Sequence, residues 1–229
     1  MLYVIGDLHL SMLGGKEMDI FGGAWKGYVD KITHGFSALE ETDTVVLCGD
    51  TSWGMNLTQA LPDFQFLEAL PGHKILLKGN HDYFWETEAK QTRFFRENNL
   101  AKLSLLHNNA HLYENAALCG TRGWFYDEDA GPDGKIFRRE LIRMRASLEK
   151  GRAMTEGELV MFLHYPPLYE NFRCGEMLDI MREFGVKRCY YGHVHGSRRA
   201  RAVEGVVEGI CFKLISADHI GFRPVPVLM

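Results

Sequence analysis

The sequence predicts an α/β layered domain, and three observations carry that prediction. Short, near-continuously apolar runs of strand length alternate with stretches whose apolar residues recur at helical spacing. The strand-like runs are apolar at successive positions, as expected of strands covered on both faces. Residues able to bind a metal, a proton or an anion stand where several of those runs stop, and ligands of open α/β sheets gather outside the carboxyl ends of strands.

Taken in order, the first strand is expected at residues 2–5 and the second at 44–48, both near-continuously apolar. Between them Trp25, Val29, Ile32, Phe36 and Leu39 fall on one helical face. Strands at 74–78, 116–119 and 159–163 follow, the last preceded by a helix carrying Phe137, Leu141, Met144 and Leu148. A third helix, with Met177, Ile180, Met181 and Phe184, leads to strands at 188–191 and 206–214. The segment "YDEDAGPDGK" (126–135), rich in Gly, Asp and Pro, reads as a loop.

With 229 residues and 46% hydrophobic content, the chain can build one sizeable core, so residues 1–229 are expected to form one domain. No apolar stretch approaches ~20 residues, so no membrane span is expected. The start "MLYVIGDLH" has no basic segment ahead of a long apolar one, which predicts a cytoplasmic protein. Five cysteines without a CxxC pair suit buried thiols in a reducing compartment. A net charge of −4 argues against a dedicated nucleic-acid binder.

The chemistry-bearing residues lie on five strand ends. Asp7 and His9 follow the first strand, Asp50 the second, and Asn80 and His81 the third. His164 ends "LVMFL", and His193 and His195 follow "RCYYG". If these segments are extended, residues two apart share a side, so Asp7 pairs with His9 and His193 with His195. A carboxylate such as Asp50 can bridge two cations about 3.5–4 Å apart. Two divalent ions bring +4 and the carboxylates of Asp7 and Asp50 remove 2, which leaves about +2 to attract a phosphate and acidify bound water.

The blocks "GDLH" (6–9), "GD" (49–50), "GNHD" (79–82), "H" in "FLHYPP" (164) and "GHVH" (192–195) stand in the order that calcineurin-like metallophosphoesterases carry them, and the chain resembles that superfamily from residue 6 to 195. The resemblance implies a two-sheet β-sandwich flanked by helices in α/β/β/α layers, with a dinuclear centre at one edge. It implies that Asp7, His9, Asp50 and His195 hold one metal, and that Asp50, Asn80, His164 and His193 hold the other. His81 would contact the phosphate and protonate the leaving group, while a hydroxide activated by the two metals attacks phosphorus. The metals expected are two divalent ions, manganese foremost, with iron, zinc, nickel, cobalt or magnesium as alternatives. Asp82 would either orient His81 through a hydrogen bond or stabilise the turn.

The function expected is hydrolysis of small soluble phosphate esters. A nuclease of the same superfamily, acting on DNA or RNA, is the alternative. A protein phosphatase fits less well, because "GDTSWG" (49–54) stands in place of the GDxxDRG block, and a non-catalytic scaffold has no use for so many ligands. "LGGK" (13–16) is not a phosphate loop, since Leu10 and Glu17 occupy positions that need Gly and Ser or Thr. Arg122 and one of Arg198, Arg199 and Arg201 are candidates for the substrate phosphate, whereas Arg138, Arg139, Arg143 and Arg145 read as a solvated helix face. His34, His73, His107, His111 and His219 read as structural or surface residues. At least one of Trp53, Phe84 and Trp85 is expected to wall the pocket, and Trp124 follows another strand.

Overall fold

The computed structural model describes residues 1–123 and 134–227. Strand β1 (Leu2–Ile5) leads through two 3-10 turns to α1 (Tyr28–Phe36), β2 (Thr44–Cys48), α2 (Leu57–Ala69) and β3 (His73–Leu77). Next come α3 (Glu88–Glu97), β4 (Leu103–Leu106), β5 (Ala110–Tyr113) and β6 (Ala116–Thr121). Beyond residue 133 stand α4 (Gly134–Met154), β7 (Leu159–Leu163) and the small hairpin of β8 (Leu168–Tyr169) and β9 (Phe172–Arg173). The chain continues through α5 (Gly175–Glu183), β10 (Arg188–Tyr191), a 3-10 turn at Gly196–Arg201, β11 (Gly205–Val207), β12 (Ile210–Leu214) and β13 (Val225–Pro226).

One sheet has the order β13-β1-β2-β3-β4 and the other β11-β12-β10-β7-β6-β5. Strands β1 to β4 run parallel, as do β6, β7, β10 and β12. Parallel strands send all their carboxyl ends to one rim, which is where the candidate ligands stand.

The near-continuous apolar runs are explained by burial on both faces. Val4, Val46, Cys48, Ile75 and Leu77 of the first sheet meet Leu118, Val160, Phe162 and Tyr190 of the second in a layer between them. The alternate residues Ile5, Val45, Leu47 and Leu76 point outward onto Ile32, Phe36, Phe64, Leu67 and Phe95 of α1, α2 and α3. On the other outer face, Met161, Leu163, Cys189 and Tyr191 pack on Met144, Leu148, Met177 and Met181 of α4 and α5. The result is a sandwich of two sheets flanked by helices, the expected α/β/β/α arrangement. At about 1.5–3 kcal/mol for each fully buried large aliphatic side chain, such layers supply the main favourable term for folding.

Several expectations are corrected. The single strand expected at 206–214 is the hairpin β11–β12, because Glu208 (φ 50°) and Gly209 (φ 79°) turn the chain in the left-handed region. Helix α2, capped by the Asn56 side chain, carries Pro62 in its interior, and α3 is capped by Thr87; neither was anticipated. Four of the five thiols are buried and unpaired, while Cys211 is exposed. The loop expected at 126–135 lies outside the described residues up to 133, as does Trp124, and Gly134 and Lys135 open α4. Among the described residues no helix is long and apolar enough to cross a membrane.

Candidate metal centre

All seven ligand-type residues converge on the rim, in two clusters that share Asp50. Ligand atoms of Asp7, His9, Asp50 and His195 all lie within 4.8 Å of one another, and so do those of Asp50, His164 and His193. In the first cluster, His9 Nε2 is 3.2 Å from His195 Nε2 and 3.7 Å from Asp50 Oδ2, and His195 Nε2 is 3.5 Å from Asp7 Oδ1. In the second, Asn80 Oδ1 is 2.7 Å from His164 Nε2 and 2.9 Å from His193 Nδ1. Asp50 Oδ2 is also 3.5 Å from His164 Nε2, so one oxygen faces both groups.

The loops reach this geometry by strained backbone rather than by extended alternation. Asp7, His9, Asp50 and His193 have φ of 60°, 48°, 50° and 72°. Left-handed conformations are unfavourable for residues with a Cβ and persist where the surroundings impose them, often at functional sites. The expectation that residues two apart share a side because the chain is extended is therefore corrected: tight left-handed turns bring Asp7 and His9 together. Two glycines make room for the carboxylates. A Cβ on Gly79 would lie 2.1 Å from Asp50 Oδ1, and one on Gly192 would lie 2.5 Å from Asp7 Oδ2. Hence the sequence reads Gly immediately ahead of Asn80 and of His193.

Secondary contacts set the ligand orientations. His164 Nδ1 donates to the Cys48 carbonyl at 3.1 Å, which leaves Nε2 with a lone pair toward Asn80 and Asp50. Asp7 accepts the His193 backbone N–H on both oxygens, at 3.1 and 2.9 Å. Behind His195, Asp218 Oδ1 lies 3.5 Å from Nδ1, and the same carboxylate accepts the Gly196 N–H at 2.9 Å. Arg199 in turn holds Asp218, with Nε 3.5 Å from its carboxylate and Nη1 2.5 Å from its backbone carbonyl.

Asp82 is buried, and its carboxylate accepts backbone N–H groups from Gly79 (2.6 Å), Asp50 (2.9 Å), Thr51 (2.8 Å) and Ser52 (3.3 Å). Those four bonds tie the β2 and β3 loops together. The proposed orientation of His81 by Asp82 is thus corrected in favour of the turn-stabilising role, because the carboxylate's lone pairs are engaged by backbone. His81 instead has Nδ1 3.3 Å from the Tyr83 hydroxyl, and its backbone N–H donates to Asp50 Oδ1 at 2.7 Å.

Charge in this pocket is costly without cations. Burial pushes the Asp7 carboxyl up to about 7, a rise augmented by neighbouring Asp50, and burial likewise raises Asp50. Burial lowers His9, His164 (to about 3) and His193, with the surrounding histidines and, at His193, Arg198 adding to the effect. At His195 burial works downward too, but Asp7, Asp218 and Asp50 outweigh it and the pKa is raised. Asp50 Oδ2 is buried with no hydrogen-bond partner among the described residues. Buried polar atoms rarely go unmatched. Neutral imidazoles, an amide oxygen and two clustered carboxylates form a donor set that divalent cations match. Neighbouring donor atoms sit roughly 3 Å apart, as two ligands at a right angle on bonds of about 2.1 Å would. The residues therefore fit two ions, one per cluster.

Aromatic residues wall the first cluster. Trp53 stacks on His9 at 5.0 Å between centroids and lies 4.6 Å from His81, while Trp25 meets the edges of His9 (5.9 Å) and His195 (5.8 Å). Phe84 is a core residue against Phe64, and Trp85 packs on His107, away from the ligands. Lys16 sits 5.0 Å over the Trp53 ring, a contact that nothing in "LGGK" pointed to. Trp25 was expected only as a helix core residue, and Asp218 was noted only as half of the Asp218-His219 pair after a late strand. Asp218 carried a detectable signal, since it follows β12 by four residues, as the ligands follow their strands closely.

The same fold occurs in solved structures. A protein of unknown function from Aquifex aeolicus, AQ665, is 14% identical with a TM-score of 0.53, covering 98% of this chain and 94% of that one. TT1561 of Thermus thermophilus is 10% identical with a TM-score of 0.54, covering 85% and 81%. No curated protein matches the sequence. The family described as calcineurin-like phosphoesterase matches residues 1–197, a span that contains every ligand of both clusters. The chain belongs to the calcineurin-like phosphoesterase family.

Proposed function

We propose that the protein is a metal-dependent phosphoesterase that hydrolyses small phosphate esters. The observation that carries this reading is the position of Asp50 Oδ2, 3.7 Å from His9 Nε2 in one cluster and 3.5 Å from His164 Nε2 in the other. When bound, two divalent ions would neutralise phosphate charge and acidify a water molecule. Asp7, His9, Asp50 and His195 would hold one ion, and Asp50, Asn80, His164 and His193 the other. Manganese is the first ion to test.

His81 is the residue available for proton transfer, because it lies beside the clusters and its ring is not among the ligand atoms. In the imidazolium form Nδ1–H would donate to the Tyr83 hydroxyl, and the Nε2 proton would pass to a leaving group, leaving a neutral ring. Burial lowers the His81 pKa, with Asp50 pulling the other way and His195 and Lys16 adding to the fall. Trp53, packed against both His9 and His81, narrows the approach and favours small substrates over folded phosphoproteins.

The test is His81→Ala in protein whose metal content has been measured. Loss of a general acid costs ~10²–10⁴-fold. The loss should be large for alkyl phosphates and small for p-nitrophenyl phosphate, whose leaving group needs little protonation. Equal losses on both substrates, with metals retained, would remove the acid role.

A further inference from the structure

Beside the second cluster lies a cavity of about 220 Å³ lined by Pro166, Tyr169, His193, Val194, Arg198 and Arg201. His193 is one of its walls, so the cavity opens on the candidate metal centre itself. Two guanidinium groups line it and, among the described residues, no carboxylate does. We propose that this cavity binds a second phosphate of the substrate, with Arg198 as the specificity-determining residue, so that compounds carrying two neighbouring phosphates are preferred; the inference rests on the phosphoesterase reading.

The arginine-rich run after His195 divides its work. Arg199 is spent on Asp218, behind His195. Arg201 pairs with Glu170 at 3.3 Å, and both side chains are exposed, so that pair is weak and readily exchanged. Arg198 is exposed, and its guanidinium makes no hydrogen bond or ion pair among the described residues. Its backbone is nevertheless fixed. The Arg198 N–H donates to the His195 carbonyl at 3.2 Å, and its own carbonyl accepts the Tyr169 hydroxyl at 3.3 Å. The β8–β9 hairpin is pinned to the same turn by the Glu170 N–H on the Arg201 carbonyl (2.9 Å) and by the Tyr169–Ala202 bridge. A charged fork on a held backbone, over a small cavity with apolar Pro166 and Val194, is suited to a phosphate dianion. Two positive charges match its two negative ones.

A second cationic cavity, of about 370 Å³, contains Lys78, Arg122 and Arg143 but also Glu86 and Glu140. Glu140 is buried there and bonded to Thr121, Gly123 and Arg143, so its charge is matched from within the protein. The contrast singles out the cavity at His193.

The test compares adenosine 5′-monophosphate with adenosine 3′,5′-bisphosphate as substrates of metal-loaded wild type, Arg198→Ala and Arg198→Lys, with metal content checked in each. Wild type should favour the bisphosphate. Arg198→Ala should lower kcat/KM about 10–100-fold more on the bisphosphate than on the monophosphate, mainly through KM, as loss of a charge-assisted hydrogen bond does. Arg198→Lys should recover part of the difference, because it keeps the charge and loses the fork. Inorganic pyrophosphate should bind wild type more tightly than phosphate by calorimetry, and less so in Arg198→Ala. Equal losses on both nucleotides, or a loss seen only with single-stranded oligonucleotides, would overturn the subsite and leave the phosphoesterase reading standing. If fully loaded wild type fails to hydrolyse even p-nitrophenyl phosphate, that reading falls instead, and the pyrophosphate titration alone decides the subsite.

Discussion

The two halves of the candidate centre are built from similar ligands and set in different surroundings. Around Asp7, His9 and His195, Trp25 and Trp53 close the space with rings, and His9 is buried. On the other side His164 is buried and packs on Tyr165, while His193 borders a cavity lined by two arginines. The half walled by two tryptophans can hold an ion and fix its geometry, while the half bordered by a cationic cavity can admit an anion. The difference teaches that the two ions would not be equivalent, although Asp50 joins them.

The largest expected effect removes the frame common to both halves. Asp82→Ala would strip four backbone N–H groups of their acceptor at the junction of the β2 and β3 loops. At about 1–3 kcal/mol for each buried group left unsatisfied, less what water recovers, the loss should reach several kcal/mol. Denaturant unfolding of the metal-free protein measures it, and both halves should lose metal together. A stability within 1 kcal/mol of wild type, on the order of one surface contact, would mean that Asp82 does not hold the frame.

Asp218→Asn separates the halves. Among the described ligands Asp218 touches His195 alone, so metal affinity should fall about 10–100-fold at one of two sites and stay unchanged at the other. Competitive chelation with two resolvable steps would detect it. A uniform fall at both sites would contradict the division.

Proton competition should act in the same direction at the half walled by tryptophans. The Asp7 carboxyl, raised to about 7, keeps its proton in the metal-free fold up to that pH, and a cation must displace it. Affinity should therefore drop by up to about tenfold for each unit below pH 7 and level off above it. The sign for stability is opposite in metal-free protein. A carboxyl whose folded pKa exceeds its usual 3.8 binds more protons folded than unfolded, so its contribution falls as pH rises from about 4 to about 7. Melting curves with and without manganese should diverge across that range.

The smallest effect concerns the wall. Trp53→Ala should raise KM for aryl or nucleotide phosphates about 2–10-fold more than for glycerol phosphate, the range of an aromatic contact. Trp85→Ala should not discriminate between them, because Trp85 packs on His107 away from the ligands.

The sequence made the closed rim legible and left its supports hidden. Each ligand follows an apolar run and most follow a glycine, and parallel strands then leave no other place for them to go. The left-handed turns at Asp7, His9 and His193 were not legible, because Asp and His take positive φ only in a minority of places and tertiary contacts decide where. The two roles left open for Asp82 could not be separated for a related reason: its neighbour His81 is adjacent in sequence, whereas Asp50, Thr51 and Ser52 follow a different strand. The sorting of Arg198, Arg199 and Arg201 depended on Asp218, Glu170 and the β8–β9 hairpin, all distant in the chain or too short to carry a periodic signal. Strands β4 and β5 were missed because "LSLLHNNAHLY" (103–113) packs two short strands around a polar turn.

The most direct measurement of the central claim is metal stoichiometry in wild type and Asp50→Asn after saturation with manganese and removal of free ion. Asp50 faces both clusters, so wild type should retain about two ions per chain and the variant fewer than one, with phosphoesterase turnover abolished. A folded Asp50→Asn protein that keeps both ions and full activity would contradict a shared, bridged centre.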